Sequence, residues 1–262
     1  MTNPDTVAGH PLVSIITATY NALPGLRRTV ESVAGQSMRD FEHILIDGAS
    51  TDGTREYLEG LGDSVRWISE PDRGIADALN KGVALARGSY VLVLQADDEF
   101  VNSESLARAA AYLNAEIDIL ACDILFGDRD SVRHVRVRFP QHRLKFKPLR
   151  HQGVFVQRRL FAEIGEFDDT YDVCMDYDFI MRAYRAGARI ASARVLLSRM
   201  ADGGISSRRD WSSLRTRFAE ERRVHLAHCP SHAMRAIYAI YWPSYLCYRR
   251  LRALLTPLYR RE

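Results

Sequence analysis

The sequence predicts an α/β fold with a mostly parallel central sheet, helices on both of its faces, and a helical C-terminal tail. Three observations carry that prediction. Strand-like and helix-like segments alternate four times between residues 12 and 100, at the length of βαβ units with right-handed crossovers. Tyr90-Val91-Leu92-Val93-Leu94 is a continuous apolar run, the pattern of a strand covered on both faces. The first four strand-like segments end in loops rich in Asn, Asp, Gly and Thr, where open α/β sheets collect ligands.

Leu12 to Thr19 reads as the first strand and turns at Tyr20-Asn21 before Pro24. Leu26, Val30 and Val33 share one face of a helix ending near Gly35. Phe41 to Ile46 is the second strand, closed by the turn-rich loop Asp47 to Gly53. A short helix through Tyr57 and Leu58, a strand at Val65 to Ile68, the loop Glu70 to Gly74 and a helix over Ile75 to Ala86 follow. Gly88 leads into the central strand, which delivers two adjacent carboxylates, Asp97 and Asp98, just past its end. One of them can hold a hard cation such as Mg²⁺ or Mn²⁺ while the other accepts a hydrogen bond from a sugar hydroxyl. The alternative is that the pair merely turns the chain and caps the next helix, but Asn102 and Ser103 already supply that cap.

Ala107 to Leu113 continues that helix, and Ile117 to Leu125 is a further strand. Between Ser131 and Arg150 stand seven Lys or Arg residues and no acid, and His134 to Phe139 within it alternates like a charged edge strand. His151 to Val156 reads as strand, Arg159 to Ile164 as a short helix closed by Gly165, and Asp168 to Tyr171 as a turn. Met175 opens a helix to about Gly187 with Phe179, Ala183 and Ala186 on one face. Asp176 and Asp178 lie in its first turn, where the helix dipole favours acids. Arg189 to Leu197 is the last strand, and the small, polar stretch Ala201 to Ser207 reads as a lid.

The 262 residues, 47% hydrophobic, suffice for one large domain with an appendage. Residues 1–207 are expected to form the domain, with a nucleotide-binding half over about 12–100 and an acceptor half over 101–207. Residues 208–262 are expected to form a basic, aromatic extension. The net charge of +3 is uneven, because Ser207 to Glu262 holds 12 Arg and no Lys against 4 acids. A basic tail on an acidic body suits an anionic surface better than a nucleic acid. Met234, Ile237, Tyr238, Tyr241, Tyr245 and Tyr248 recur at helical spacing beside Trp242, with Arg249, Arg250, Arg252, Arg260 and Arg261 after them. Such helices lie in a membrane interface. The same face can instead pack on the domain or on a second subunit as a homodimer, and Pro243 and Pro257 are expected to break it into two short segments.

Cys122, Cys174, Cys229 and Cys247 show no CxxC spacing and read as reduced thiols of a cytoplasmic protein. The N-terminal stretch has neither the basic region nor the apolar core of a secretory signal, and no window reaches the roughly 18 to 20 apolar residues of a membrane span. The expected location is the cytoplasm, peripheral on the inner face of the cell membrane. The dinucleotide fingerprint GxGxxG is absent from every strand end.

Seven stretches occur in a telling order: TATYNALPGLRRTVESVAGQ, IDGASTDGT, SEPDRGIADALNKG, QADD, HQGVFVQRRLFAEIGEFD, MDYDF and DGGISS. Over about residues 12 to 207 the set resembles family 2 glycosyltransferases of GT-A fold, in particular bacterial enzymes that build cell-envelope glycans. The resemblance implies an inverting, metal-dependent enzyme moving a sugar from a UDP- or dTDP-sugar to a glycan or lipid-linked glycan. By the same resemblance Asp47 bonds the donor's nucleobase, and Thr17, Thr19 and Asn21 wall the base and ribose. Asp72 and Arg73 lie beside the donor, Asp97 binds ribose, and Asp98 holds Mg²⁺ or Mn²⁺. Asp176 is similar to the family's catalytic base, with Phe179 and Arg182 at the family's spacing. His151, Gln152, Asp178, Gly203, Gly204 and Ser206 are implied to lie on the acceptor side or in the lid.

Two positions depart from the family pattern. Gln95 stands where many members have an acid, and Met175 where a Glu commonly precedes the base. His10, His43 and His134 read as ordinary surface or strand residues. Two rival readings remain: a sugar-1-phosphate nucleotidyltransferase, for which Ala18 to Ala22 lacks a Gly-rich basic phosphate loop, and a non-catalytic scaffold that kept the fold.

Overall fold

The structure is a computed structural model that describes residues 10–127, 132–137, 151–201, 204, 210–229 and 231–255, the side chains of 253–255 excepted. The chain divides into two compact units, Met1–Ser207 and Arg208–Glu262.

In the first unit, β1 (Val13–Thr19), β2 (Phe41–Asp47), β3 (Arg66–Ser69) and β4 (Tyr90–Val93) pair in parallel in the order β3-β2-β1-β4. Each connection is a helix: α1 (Leu23–Ala34), α2 (Thr54–Glu59) and α3 (Ile75–Leu85). β1 and β4 are buried throughout, which is why their sequences are apolar without alternation. β5 is the short pair Glu99–Phe100, followed by α4 (Ser105–Ala110), β6 (Ile119–Phe126), β7 (Arg133–Val135) and β8 (Val154–Gln157). Then come α5 (Arg159–Ile164), α6 (Met175–Arg185) and β9 (Ile190–Met200). Beyond β4 the curled sheet becomes mixed: β8 runs antiparallel to both β4 and β6, whereas β9 runs parallel to β6. Val13, Ile15, Leu92, Leu94, Phe155 and Leu197 form the centre of the core on one sheet face.

His151 to Gly153 is a 3-10 turn and not strand. Pairing between β8 and β6 stops at Val154 and Ala121, so the chain before Val154 lies outside the ladder, and just beyond that point β9 carries extra residues opposite Asp123 of β6. A Cβ at Gly153 would sit 2.6 Å from the Cys122 carbonyl oxygen, so only glycine lets the turn approach β6 this closely. The expected strand His134 to Phe139 is a three-residue edge strand whose last two positions lie outside the described residues. His134 bonds the buried Asp123. His43 is also buried, and loss of hydration pushes its imidazole down to about 3, so it stays neutral in the sheet.

The second unit is a pair of helices, α7 (Trp211–Ala227) and α8 (His232–Leu255). The Asp210 carboxylate accepts the Ser213 N–H at 2.9 Å and caps α7. Pro243 does not break α8, contrary to the sequence expectation. A proline removes one helical hydrogen bond, but Tyr238 and Trp242 just before it are buried against Leu214 and Phe218 of α7. That packing holds both halves of α8 in one continuous helix. No described helix is long and apolar enough to cross a membrane.

Candidate active site

The strand order reverses between β1 and β4, so a crevice opens beyond the carboxyl ends of these strands. Register brings Thr19, Asp47 and Ser69 level across β1, β2 and β3. Among the described residues, three non-glycine residues take positive φ: Asn21 at 49°, Ala49 at 61° and Asp97 at 87°. All three lie in loops at this edge, where strained backbone is held by surrounding structure.

A relay ties the first two loops together. The Asn21 N–H donates to Ser50 Oγ at 2.8 Å, and the Ser50 hydroxyl donates in turn to Asp47. Asn21 Oδ1 accepts the Thr51 N–H at 2.8 Å, and Ser69 Oγ donates to Asp47 Oδ2 at 2.6 Å. Asp47 is thus wholly buried and held by two serines that sequence reasoning missed. Thr19 Oγ1 is buried with no hydrogen-bond partner among the described residues. Thr17, expected in the same wall, is fully buried, donates to the Leu94 carbonyl at 2.7 Å and pairs with His43. Two residues earlier on a strand puts it on the same face as Thr19 but one pleat deeper, so it braces the sheet.

Asp72 Oδ1 accepts the Gly74 N–H at 2.8 Å, and its other oxygen crowds Gly48, so this carboxylate sits over the end of β2. Arg73 reaches outward to Asp77 at 2.8 Å and Asp169 at 2.9 Å. Asp97 is held by Arg28 of α1 at 2.7 Å, another partner unseen in the sequence. A Cβ at Gly25 would lie 2.0 Å from Asp97 Oδ1, so the first turn of α1 must carry glycine to admit that carboxylate.

Asp98 is buried. Its Oδ1 accepts the Ala201 N–H at 3.3 Å, and its Oδ2 has no hydrogen-bond partner among the described residues. Burial pushes its carboxyl up to about 7, against the lowering influence of nearby His151, the Ala201 N–H and the Gln152 side chain. Ala201 opens the stretch expected to be the lid. Gly204 there is exposed, and Gly203 and Ser206 lie outside the described residues.

At the start of α6, the Asp176 carboxylate takes the Tyr177 N–H at 2.7 Å and faces His151 Nδ1 at 3.0 Å. Adjacent residues of one turn therefore act on two carboxylates: His151 touches Asp176, and the buried Gln152 beside it draws the Asp98 carboxyl down. Asp178 does not join them. It is buried against Arg182 Nε at 2.8 Å, and that guanidinium binds the carbonyls of Ile164, Gly165 and Glu166. Asp178 thus fastens α6 to the end of α5.

Among the described residues no group of three or more His, Cys, Asp or Glu side chains is arranged to hold a metal. Asp98 nonetheless fits a metal whose other ligands come from substrate. Mg²⁺ characteristically uses one or two carboxylates plus phosphate oxygens, and an orphaned buried carboxylate oxygen has unmet demand for a cation.

A curled α/β sheet with its carboxylates gathered at the switch point is the architecture of a GT-A glycosyltransferase. The family model for glycosyl transferase family 2 matches residues 14–188, and the chain belongs to that family. A PGL/p-HBAD biosynthesis glycosyltransferase of Mycobacterium bovis is 35% identical over 208 residues, which are 75% of this chain and 80% of that protein. A Mycobacterium tuberculosis glycosyltransferase is 34% identical over 225 residues, 82% of this chain and 83% of the other. Among solved structures, S. aureus TarS 1-349 in complex with UDP-GlcNAc superposes with a TM-score of 0.62 at 20% identity, covering 82% of this chain and 66% of that one. The mannosyltransferase PcManGT of Pyrobaculum calidifontis, in complex with GDP-Man and Mn²⁺, gives 0.60 at 18% identity, covering 97% and 89%. At these identities the two structures speak for the fold.

Proposed function

We propose that this glycosyltransferase moves a sugar, with inversion, from a UDP- or dTDP-sugar to a hydroxyl of a cell-envelope glycan or lipid-linked glycan at the cytoplasmic face of the membrane. The observation that carries the reading is the buried Asp98 carboxylate with its unpartnered oxygen, together with Asp176 facing His151 at 3.0 Å. Asp176 accepts the proton of the acceptor hydroxyl as its oxygen attacks the anomeric carbon. The bond from that carbon to the diphosphate oxygen breaks with its electron pair leaving on the diphosphate. Attack from the face opposite the leaving group inverts the centre, and no enzyme-linked intermediate is needed. A divalent cation held by Asp98 would neutralise charge on the departing diphosphate. Asp97, half exposed beside Arg28, takes the ribose, and Thr19 offers its unpartnered hydroxyl to the nucleoside. Asp47 recognises the base, aided by the serines that fix its carboxylate.

A thermal-shift panel of UDP-, dTDP- and GDP-sugars with and without Mn²⁺ tests the donor. A donor at about 100 times its Kd should stabilise the protein by roughly 2.7 kcal/mol. Asp47→Ala should weaken donor binding equally with and without Mn²⁺, since its partner is the base. A flat response across the panel overturns the donor reading, and a metal-dependent loss in Asp47→Ala overturns the base contact.

A further inference from the structure

Helix α8 has two apolar faces, and only one is covered. Tyr238 and Trp242 are buried, with Met234, Tyr241 and Tyr245 half-buried around them, against Leu214 and Phe218 of α7. Arg249 closes the same face, stacking 5.0 Å over Phe218 and donating to the Tyr245 hydroxyl at 3.0 Å. The aromatic stripe that sequence reasoning assigned to a membrane is therefore mostly packed on protein. A neighbouring face, about 110° further round the helix, carries Ile237, Ile240, Tyr248 and Leu251, exposed by 47%, 72%, 55% and 54%. Their spacing sets them on one line about 21 Å long at 1.5 Å rise per residue. Exposed apolar side chains aligned along a helix are not the scattered surface apolars of a soluble protein.

Charge selects the occupant. α8 carries no Asp or Glu over its 24 residues, and its ionised side chains are Arg235, Arg249, Arg250 and Arg252. At 3.6 residues per turn, Arg250 and Arg252 fall about 120° and 80° to either side of the centre of the exposed stripe. Both are exposed. An apolar line with arginines on its shoulders matches the boundary of an anionic bilayer, where the apolar face enters the acyl region and the guanidiniums meet headgroup phosphates. A self-association surface would place those like charges against each other unless acids opposed them, and this face offers none. We propose that the Ile237–Ile240–Tyr248–Leu251 face of α8 docks on an anionic lipid surface. This extends the membrane-side reading above to a defined face, and its test does not depend on donor or acceptor.

Flotation of the full chain with phosphatidylglycerol-containing vesicles, compared with neutral phosphatidylcholine vesicles, decides it. The parent should float with the anionic vesicles and poorly with the neutral ones. Arg250→Gln with Arg252→Gln should partition roughly 30-fold more weakly, each arginine near an anionic leaflet contributing about fivefold. Ile240→Asp with Leu251→Asp should abolish flotation while circular dichroism and the thermal midpoint stay at parental values, since both positions are exposed. Nucleotide-sugar binding measured on the same variants should be unchanged, which separates failure here from failure of the donor reading. Flotation that is absent, equal for both lipids, or untouched by either pair of substitutions overturns the proposal. So does a parental dimer in light scattering that Ile240→Asp converts to monomer without any lipid binding, an outcome that assigns the face to a second copy of the chain.

Discussion

Replacing Asp176 by Asn should leave donor and metal affinity at parental values and lower transfer by about 10² to 10⁴, the usual contribution of a positioned general base. The side chain keeps its shape, and the amide oxygen can still take the Tyr177 N–H that now binds Asp176 Oδ1. What it loses is the capacity to accept a proton. His151 sharpens the test, because it faces Asp176 at 3.0 Å. His151→Phe should lower turnover with donor affinity intact, and His151→Asn, which restores a donor near the same place, should recover part of it. Asp178→Asn serves as the contrast. It removes a charged partner of Arg182, so the midpoint of thermal unfolding should drop by an amount worth about 1–3 kcal/mol, while turnover survives. The readout is release of nucleoside diphosphate with a sugar acceptor, or by slow donor hydrolysis in its absence. A dead Asp178→Asn beside an active Asp176→Asn would mean that the other carboxylate is the base.

Asp98→Asn should abolish the Mn²⁺-dependent part of donor binding and leave the metal-free part. It should also change how stability follows pH. Burial raises the Asp98 carboxyl from 3.8 to about 7 in the folded chain. A carboxyl raised in this way favours the fold while it is protonated, and that contribution fades as pH rises through about 7. Metal-free protein should therefore gain stability from this group as pH falls from about 7 towards about 4, and Asp98→Asn should flatten that rise. A cation needs the ionised carboxylate, so Mn²⁺-dependent donor binding should weaken about tenfold per pH unit below 7. Calorimetry of donor binding with and without Mn²⁺ across that range checks both signs. Parental Mn²⁺ dependence in Asp98→Asn would remove this residue as the ligand.

The sequence by itself determined the alternation that builds β1 to β4, the delivery of Asp97 and Asp98 beyond the central strand, and the helix that opens at Met175. These are short-range properties. Apolar runs, turn residues and first-turn acids act within a few positions, so one segment suffices to read them. The choice of Asp176 over Asp178 as the base rests on the family's spacing to Phe179 and Arg182, helix geometry saying only that the two point in different directions.

Tertiary structure alone decided which side chains meet. Ser69 reaches Asp47 through the register of β3 on β2, and Arg28 reaches Asp97 across 69 positions of chain. Thr17 belongs to the sheet interior because β4 lies beside β1 and offers the Leu94 carbonyl to its hydroxyl. The turn that sets His151 against Asp176 lies where pairing between β8 and β6 begins. In α8, helical periodicity revealed apolar residues on more than one face, and nothing local says which face a partner covers. α7 settles it, since burying Tyr238 and Trp242 against Leu214 and Phe218 leaves Ile240 and Leu251 to whatever lies outside. Side-chain direction is set by local geometry, but what stands opposite is set by contacts distant in sequence.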